Sequence, residues 1–412
     1  MLFYVLLFLT TTALFFVAGK FRGALHVVLT AFALLVPCVI AACRDTTVGT
    51  DLSRYGSRDF NSVSVHGFAD GLSVLLDSQQ PFGYSLLTCA DIMLFHSLPV
   101  HLFILQTLTI VPIYIATRKF AGKEYTWIGM IWYMTMLYPS SLNIMKQMIA
   151  VAFLTLAVEP IVKGRKIEFL LWVLVAYSFH QTAVLFIAMY PLCRIILTNK
   201  RLQFEETFET TTDPSEKYRG LWFRSGLLMA VTVAFMVVIG FGDMILSMVA
   251  TLKGSYQYSI EHAGENGIST NHIILLLILV VIGLAFYFET FVNDAAKADS
   301  SSDVADHESL GCRRRLDYMF FTLTFVGVLL EQSMVITENF YRFTYYGLAF
   351  GGIYFARKAV EQRSWKLQYR YLFWVLSLIM VCAQLMLFYK TAVVAGGDSI
   401  VPYTSEILGI GV

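Results

Sequence analysis

Residues 1–43 read MLFYVLLFLTTTALFFVAGKFRGALHVVLTAFALLVPCVIAAC, and their reading decides the fold. Two apolar runs, 1–18 and 25–43, are parted by a short break that carries Lys20 and Arg22. A helix rises about 1.5 Å per residue and the hydrocarbon core of a bilayer is about 30 Å thick, so a run of roughly 20 apolar residues crosses once. The first run has the length of a secretory signal, but it lacks a basic leading segment, and a second apolar run follows almost at once. It reads as an anchor and first span rather than a cleaved leader.

The pattern recurs along the chain. Further spans are expected at about 98–117, 125–141, 143–161, 221–250, 271–292, 317–335, 343–357 and 369–390. Charged residues make up only 14% of the chain, where water-soluble domains carry about 25%. The fold class that follows is an all-α polytopic membrane protein, with residues 1–412 as a single transmembrane domain. Between the spans, 44–83 reads as an extracytoplasmic loop, followed by an interfacial helix over 84–97 that contains Asp91. Residues 197–220 and the low-complexity stretch 293–316 read as cytoplasmic loops, and 251–271 as an extracytoplasmic one. The tail, 391–412, reads as neither charged nor strongly structured. The six cysteines lie mostly in or beside apolar runs without CxxC spacing, and read as small hydrophobes.

Lysine and arginine placement gives a direction. Lys20/Arg22, Arg118/Lys119/Lys123, Lys163/Arg165/Lys166, Arg313–Arg315 and Arg357/Lys358 with Arg363/Lys366 are assigned to the cytoplasm, which puts 44–83 and both termini outside. Residues 168–196 are long for one helix and short for two. A single crossing gives 11 spans and puts the basic residues of 197–220 outside. A broken pair turning near His180 gives about 12 and satisfies the charge rule, which favours it.

Several polar residues then gather at the outer ends of the spans. Arg44 to Tyr55 contains a guanidinium fork suited to phosphate or carboxylate, a carboxylate at Asp51 and a turn-forming Gly49. Lys146 and Gln147 open an otherwise apolar helix, where the lysine either snorkels or meets a phosphate. His180 sits inside an apolar run, where an imidazole either holds two helices together or transfers protons. Arg342 follows Glu338 on another outer loop, as a helix-end pair or as a further anion contact. The loop holding Lys253, Tyr256, Tyr258, His262 and Glu265, with His272 beyond it, has no HExxH-like metal spacing. No GxxxxGK loop or GxSxG elbow is present, and the net charge of +1 gives no nucleic-acid signal. No metal, nucleotide or other cofactor is expected.

Together these clusters resemble the EpsG-like family of bacterial polysaccharide polymerases, related in role to the Wzy O-antigen polymerases. The matching stretches are Arg44–Asp51 with Tyr55, Asn143–Ala150, Ala176–Ala183, Arg342–Tyr346 and Val401–Tyr403. Where the family usually has Arg-Gln, this chain has Lys146-Gln147, which keeps the charge and loses the bidentate fork. The resemblance implies a GT-C-like glycosyltransferase in the bacterial inner membrane with its active face outward. Its donor and acceptor would be undecaprenyl-pyrophosphate-linked glycans. A chain-length regulator and a flippase of the same pathway would be its partners, besides membrane lipids. Within that reading His180, Asp51 and Arg44 are the catalytic candidates, and Lys146, Gln147, Arg342 and Tyr55 bind substrate or pyrophosphate. Two rivals share the features: a lipid-linked oligosaccharide flippase or transporter, and a membrane acyltransferase acting on surface glycans. A transporter would line a central cavity with its charges, whereas these concentrate at outer helix ends.

Overall fold

The computed structural model describes residues 1–198, 219–242, 244, 247, 270, 273–284, 304–336 and 338–411. The chain is an all-α polytopic membrane protein. Among the described residues, eight helices are long and apolar enough to cross a membrane, by length and composition. Several expected spans are instead interrupted. The one at 125–141 contains a π-helical turn, Tyr133–Leu137, and the one at 343–357 is split between Tyr345–Leu348 and Gly351–Glu361.

The contacts divide the chain into two compact units, one formed by Met1–Tyr190, Gly352–Val360 and Val381–Val412, the other by Pro191–Gly351 and Glu361–Met380. Hydropathy marks which helices enter lipid and carries no signal for which of them pack together. In the second unit the helix Val304–Leu330 packs at Gly327 against Gly347, where a Cβ on either would meet the other's backbone. This helix takes up residues 304–316 of the expected cytoplasmic loop 293–316. The stretch is polar but contains no proline, so nothing in its backbone prevents it from extending the apolar helix. The expected outer loop 251–271, with Lys253, Tyr256, Tyr258, His262, Glu265 and also His272, lies outside the described residues, apart from Thr270. So does most of 197–220.

The first unit begins with α1 (Leu2–Lys20) and α2 (Gly23–Cys43), as the opening stretch requires. The segment 44–83, expected as a loop, is largely helical. A π-helical turn, Leu52–Gly56, leads into α3 (Ser57–Asp77). Gly67 takes φ +78° inside α3, and Val63 lies against Gly71, so the helix doubles back on itself there. Val63 and Leu75 from the two arms bury against Cys89 and Ile92 of α4 (Phe82–Phe95). Polar composition hid this element, because one narrow apolar stripe is enough to seat it.

Next come α5 (Leu98–Ala121), α6 (Thr126–Trp132) with α7 (Tyr138–Ser141), and α8 (Met145–Leu156) with α9 (Val158–Lys163). The basic clusters converge at one end of this unit. Glu159 bridges Lys119 and Lys163, Lys123 donates to the carbonyl of Phe21 at 2.7 Å, and Arg357 donates to that of Phe120 at 3.1 Å. Four of the clusters grouped by the charge rule are therefore spatial neighbours, and the polar candidates of this unit lie away from them.

Residues 168–196 form a hairpin. Helix α10 (Lys166–Phe179) stops at His180, which is extended at φ −154° and ψ 121°. A 3₁₀ segment, Gln181–Ala188, and α11 (Met189–Thr198) follow. One straight helix would hold Phe169 and Tyr190 about 30 Å apart. Their ring centroids are 4.9 Å apart, so the chain reverses at His180. The polar side chains of Ser178, His180 and Thr182 offer the backbone alternatives to helical bonding at this point. Topology reporters fused after Arg165 and after Thr198 should therefore report the same side of the membrane; opposite sides would exclude the reversal.

Candidate functional site

At the end of the first unit away from the basic clusters, α2 finishes and the chain turns over the α7–α8 junction. Gly49 makes that turn with φ +98°. A Cβ there would lie 2.5 Å from the carbonyl oxygen of Leu142, so the position requires glycine for both conformation and space. Asn143 joins the two loops. Its side chain is buried, and its Oδ1 accepts the Thr50 hydroxyl at 2.8 Å and the Asp51 backbone N–H at 2.9 Å.

Arg44 is buried, with 6% of its surface exposed. Nη1 donates to the carbonyl of Ala41 at 2.6 Å and Nη2 to that of Leu142 at 3.2 Å, with Met145 Sδ at 3.1 Å. Burial lowers its pKa to about 10, which leaves it cationic at neutral pH. The fork that the sequence offered to an anion is thus engaged with backbone, fastening α2 to the 142–145 turn.

Asp51 and Lys146 meet on one tyrosine. The Tyr55 hydroxyl donates to Asp51 Oδ2 at 2.6 Å, and Lys146 Nζ lies 3.5 Å from the centre of the Tyr55 ring. Lys146 Nζ also faces the Tyr84 ring at 5.0 Å and donates to Gln80 Oε1 at 2.7 Å. Asp51, Tyr55 and Lys146 are half-buried, open enough to be reached. The π-helical turn Leu52–Gly56 lies between Asp51 and α3, and such turns often adjoin functional sites. Gln147 is buried in α8 beside them.

His180 is half-buried at the hairpin tip, its Nδ1 2.7 Å from Thr182 Oγ1. Its neighbour Ser178 abuts Gly83, where a Cβ would come within 2.4 Å of Ser178 Oγ. Phe179 packs on the buried cluster that contains Tyr84 and Met145, as Tyr55 also does. The hairpin tip therefore joins the same packed region as Lys146. Arg342 lies in the second unit, half-buried in the 3₁₀ segment Glu338–Thr344.

Sequence reading missed three groups here. Asp59, one turn beyond Tyr55, is buried, with Arg58 at 3.6 Å. Asp91 and His101 form a buried pair, Oδ2 to Nδ1 at 3.0 Å. Asp398, from the tail, reaches Asn143. The tail is ordered, contrary to expectation. Asp45 N–H donates to the Thr404 carbonyl at 3.1 Å, and Gly49 N–H to that of Ser399 at 3.0 Å. Its side chains find unpaired helix-end carbonyls, a signal that hydropathy does not record. Among the described residues, no group of three His, Cys, Asp or Glu side chains is placed to hold a metal.

Residues 27–204 match the model of the EpsG family. That is the family of Wzy-type and EpsG polysaccharide polymerases. No curated protein and no solved structure matches the chain. The matched segment includes Arg44, Asp51, Tyr55, Lys146, Gln147 and His180, and ends before Arg342 and the tail.

Burial holds the Asp59 carboxyl above its usual range, against the opposing pull of Lys146 and Arg58. A folded-state value above the unfolded one, about 3.9, means that the folded protein binds more protons in that window. Stability from this group is therefore fullest below about pH 4 and falls as pH rises through the folded value. Asp59→Asn should raise the apparent melting temperature in detergent at pH 7 relative to wild type, and the gain should shrink toward zero as pH is lowered to about 3. A loss of stability at both values would contradict this account.

Over residues 27–204 this multi-pass membrane protein is therefore similar to the EpsG family.

Proposed function

We propose that the protein is a membrane glycosyltransferase of GT-C-like architecture that joins undecaprenyl-pyrophosphate-linked oligosaccharide repeat units into a polysaccharide. It would work at the outer face of the inner membrane, drawing on lipid-linked donor and acceptor and serving beside a flippase and a chain-length regulator. The observation that carries the reading is the pairing of a carboxylate and an ammonium group on one tyrosine, within the EpsG-matched segment. Glycosyl transfer from a pyrophosphate is served by a proton acceptor and a cation. The acceptor hydroxyl gives its proton to a base while its oxygen bonds to the anomeric carbon. The bond from that carbon to the pyrophosphate oxygen breaks, and its electron pair leaves on the pyrophosphate.

Asp51 suits the base, because Tyr55 engages Oδ2 and Oδ1 has no hydrogen bond among the described residues. His180 is the alternative base in the same packed region. Lys146 suits the leaving pyrophosphate, as a point charge held on an aromatic surface. Tyr55 and Gln147 would orient sugar or phosphate oxygens, and Arg342, in the second unit, is proposed as an anion contact in its own right. Arg44 would act through the turn that it fastens, rather than by touching substrate. The linkage energy of the donor drives the reaction, so the proposal requires no nucleotide.

The test is elongation in vitro by purified protein supplied with lipid-linked repeat units. Wild type should give a ladder of longer glycans. Asp51→Asn should lower the rate by about 10²- to 10⁴-fold, and Lys146→Met by about 10²- to 10³-fold. His180→Ala, Arg44→Ala and Arg342→Ala run beside them apportion the remaining roles. A wild type that lengthens no glycan from its authentic repeat unit would sink the proposal.

A further inference from the structure

The C-terminal tail makes an unusual turn directly against Asn143. Asp398 and Ser399 are consecutive non-glycine residues with φ +65° and +51°. Each costs of order 1 kcal/mol in that left-handed region, and the pair persists only where its surroundings hold it. They are held on both sides. The Ser399 carbonyl accepts the Gly49 N–H at 3.0 Å, and Asp398 Oδ1 accepts from Asn143 Nδ2 at 2.5 Å. Behind the turn, the Ile400 carbonyl accepts the Tyr4 hydroxyl at 2.7 Å, and Tyr403 donates to the carbonyl of Ile40 at 2.8 Å.

The chemistry of the contact gives it a direction. An ionised carboxylate only accepts, so the Asn143 NH₂ must face Asp398. That leaves Oδ1 as the end of the amide that meets the Thr50 hydroxyl and the Asp51 N–H, both donors. Without Asp398 that orientation rests on the Asp51 N–H alone, because a flipped NH₂ would oppose it, and the amide loses its anchor on the tail side.

We propose that Asp398 is a positioning residue: through the Asn143 amide it fixes the backbone of Asp51, so that the tail completes the site although the EpsG match ends at residue 204. The role in catalysis rests on the polymerase reading above, whereas the structural coupling does not.

The experiment compares Asp398→Ala, Asp398→Asn, Asn143→Ala and the double alanine variant in the full-length protein. Amide hydrogen exchange over peptides spanning 49–56 is read alongside kcat and KM for elongation. Asp398→Ala should speed exchange in that peptide by about tenfold or more and lower kcat by about 10- to 100-fold, with KM moving less than about threefold. Asp398→Asn keeps an acceptor oxygen and should recover most of both losses. The double variant should be no worse than the worse single variant, because both remove one chain of contacts. Unchanged exchange in Asp398→Ala overturns the proposal. So does Asp398→Asn as impaired as alanine, or a double variant equal to the sum of the singles. If wild type lengthens no glycan, the polymerase reading fails, while the exchange comparison still decides whether Asp398 holds the Asp51 backbone.

Discussion

The last carbonyls of α2 organise this protein. A helix leaves its final C=O groups without partners, and near a bilayer water is a poor substitute. Here three side chains supply donors, Tyr403 to Ile40 at 2.8 Å, Arg44 to Ala41 at 2.6 Å and Ser405 to Cys43 at 2.5 Å, and Tyr138 adds a further donor to the carbonyl of Pro37, one turn earlier, at 3.0 Å. These donors come from three parts of the chain: the loop after α2, α7 and the C-terminal tail. Finishing one helix therefore brings together the loop 44–51, the 138–145 turn and residues 397–411. The candidate site lies where they meet.

Within that meeting place the charges are coupled rather than scattered. Tyr55 uses its hydroxyl for Asp51 and its ring for Lys146, so the separation of anion and cation is set by one rigid side chain. A cation over an aromatic ring gains about 0.5–2 kcal/mol, more as water is excluded. Asp59, Tyr84, and the pair Asp91–His101 lie behind this surface, all buried. Removing one member of such a buried pair generally costs more than the pair itself contributes, because the other is left without compensation. These groups thus constrain the site even where they do not meet a substrate.

The first unit has two distinct ends. Lys119 and Lys163 share Glu159 at one, and Lys123 and Arg357 bind backbone carbonyls near them. Arg44, Asp51 and Lys146 occupy the other. The α10 hairpin starts at the basic end with Lys166 and turns back at His180, which carries the histidine toward the side of Gly83 and Tyr84. The basic clusters and the candidate site therefore occupy opposite ends of this unit.

The sequence alone determined the membrane class, because about 20 consecutive apolar residues have few other solutions. It also marked Gly49 as a turn, the break near His180, and most of the polar residues at the site, since a charge beside an apolar run stands out whatever its partner. It did not reveal the doubled helix at Gly67 or the order in the tail. Both are polar in composition and depend on narrow contacts: Val63 and Leu75 against α4, and Tyr403 and Ser405 against helix-end carbonyls. Nor did it assign the roles within the site. Arg44 reads as an anion contact and is engaged with backbone instead, while Asp398, more than 250 residues from Asn143 in sequence, joins it in space. A residue's chemistry is fixed by its type, but which partner uses that chemistry is decided by which unsatisfied donors and acceptors the fold brings within 3 Å, and that is a property of the tertiary structure.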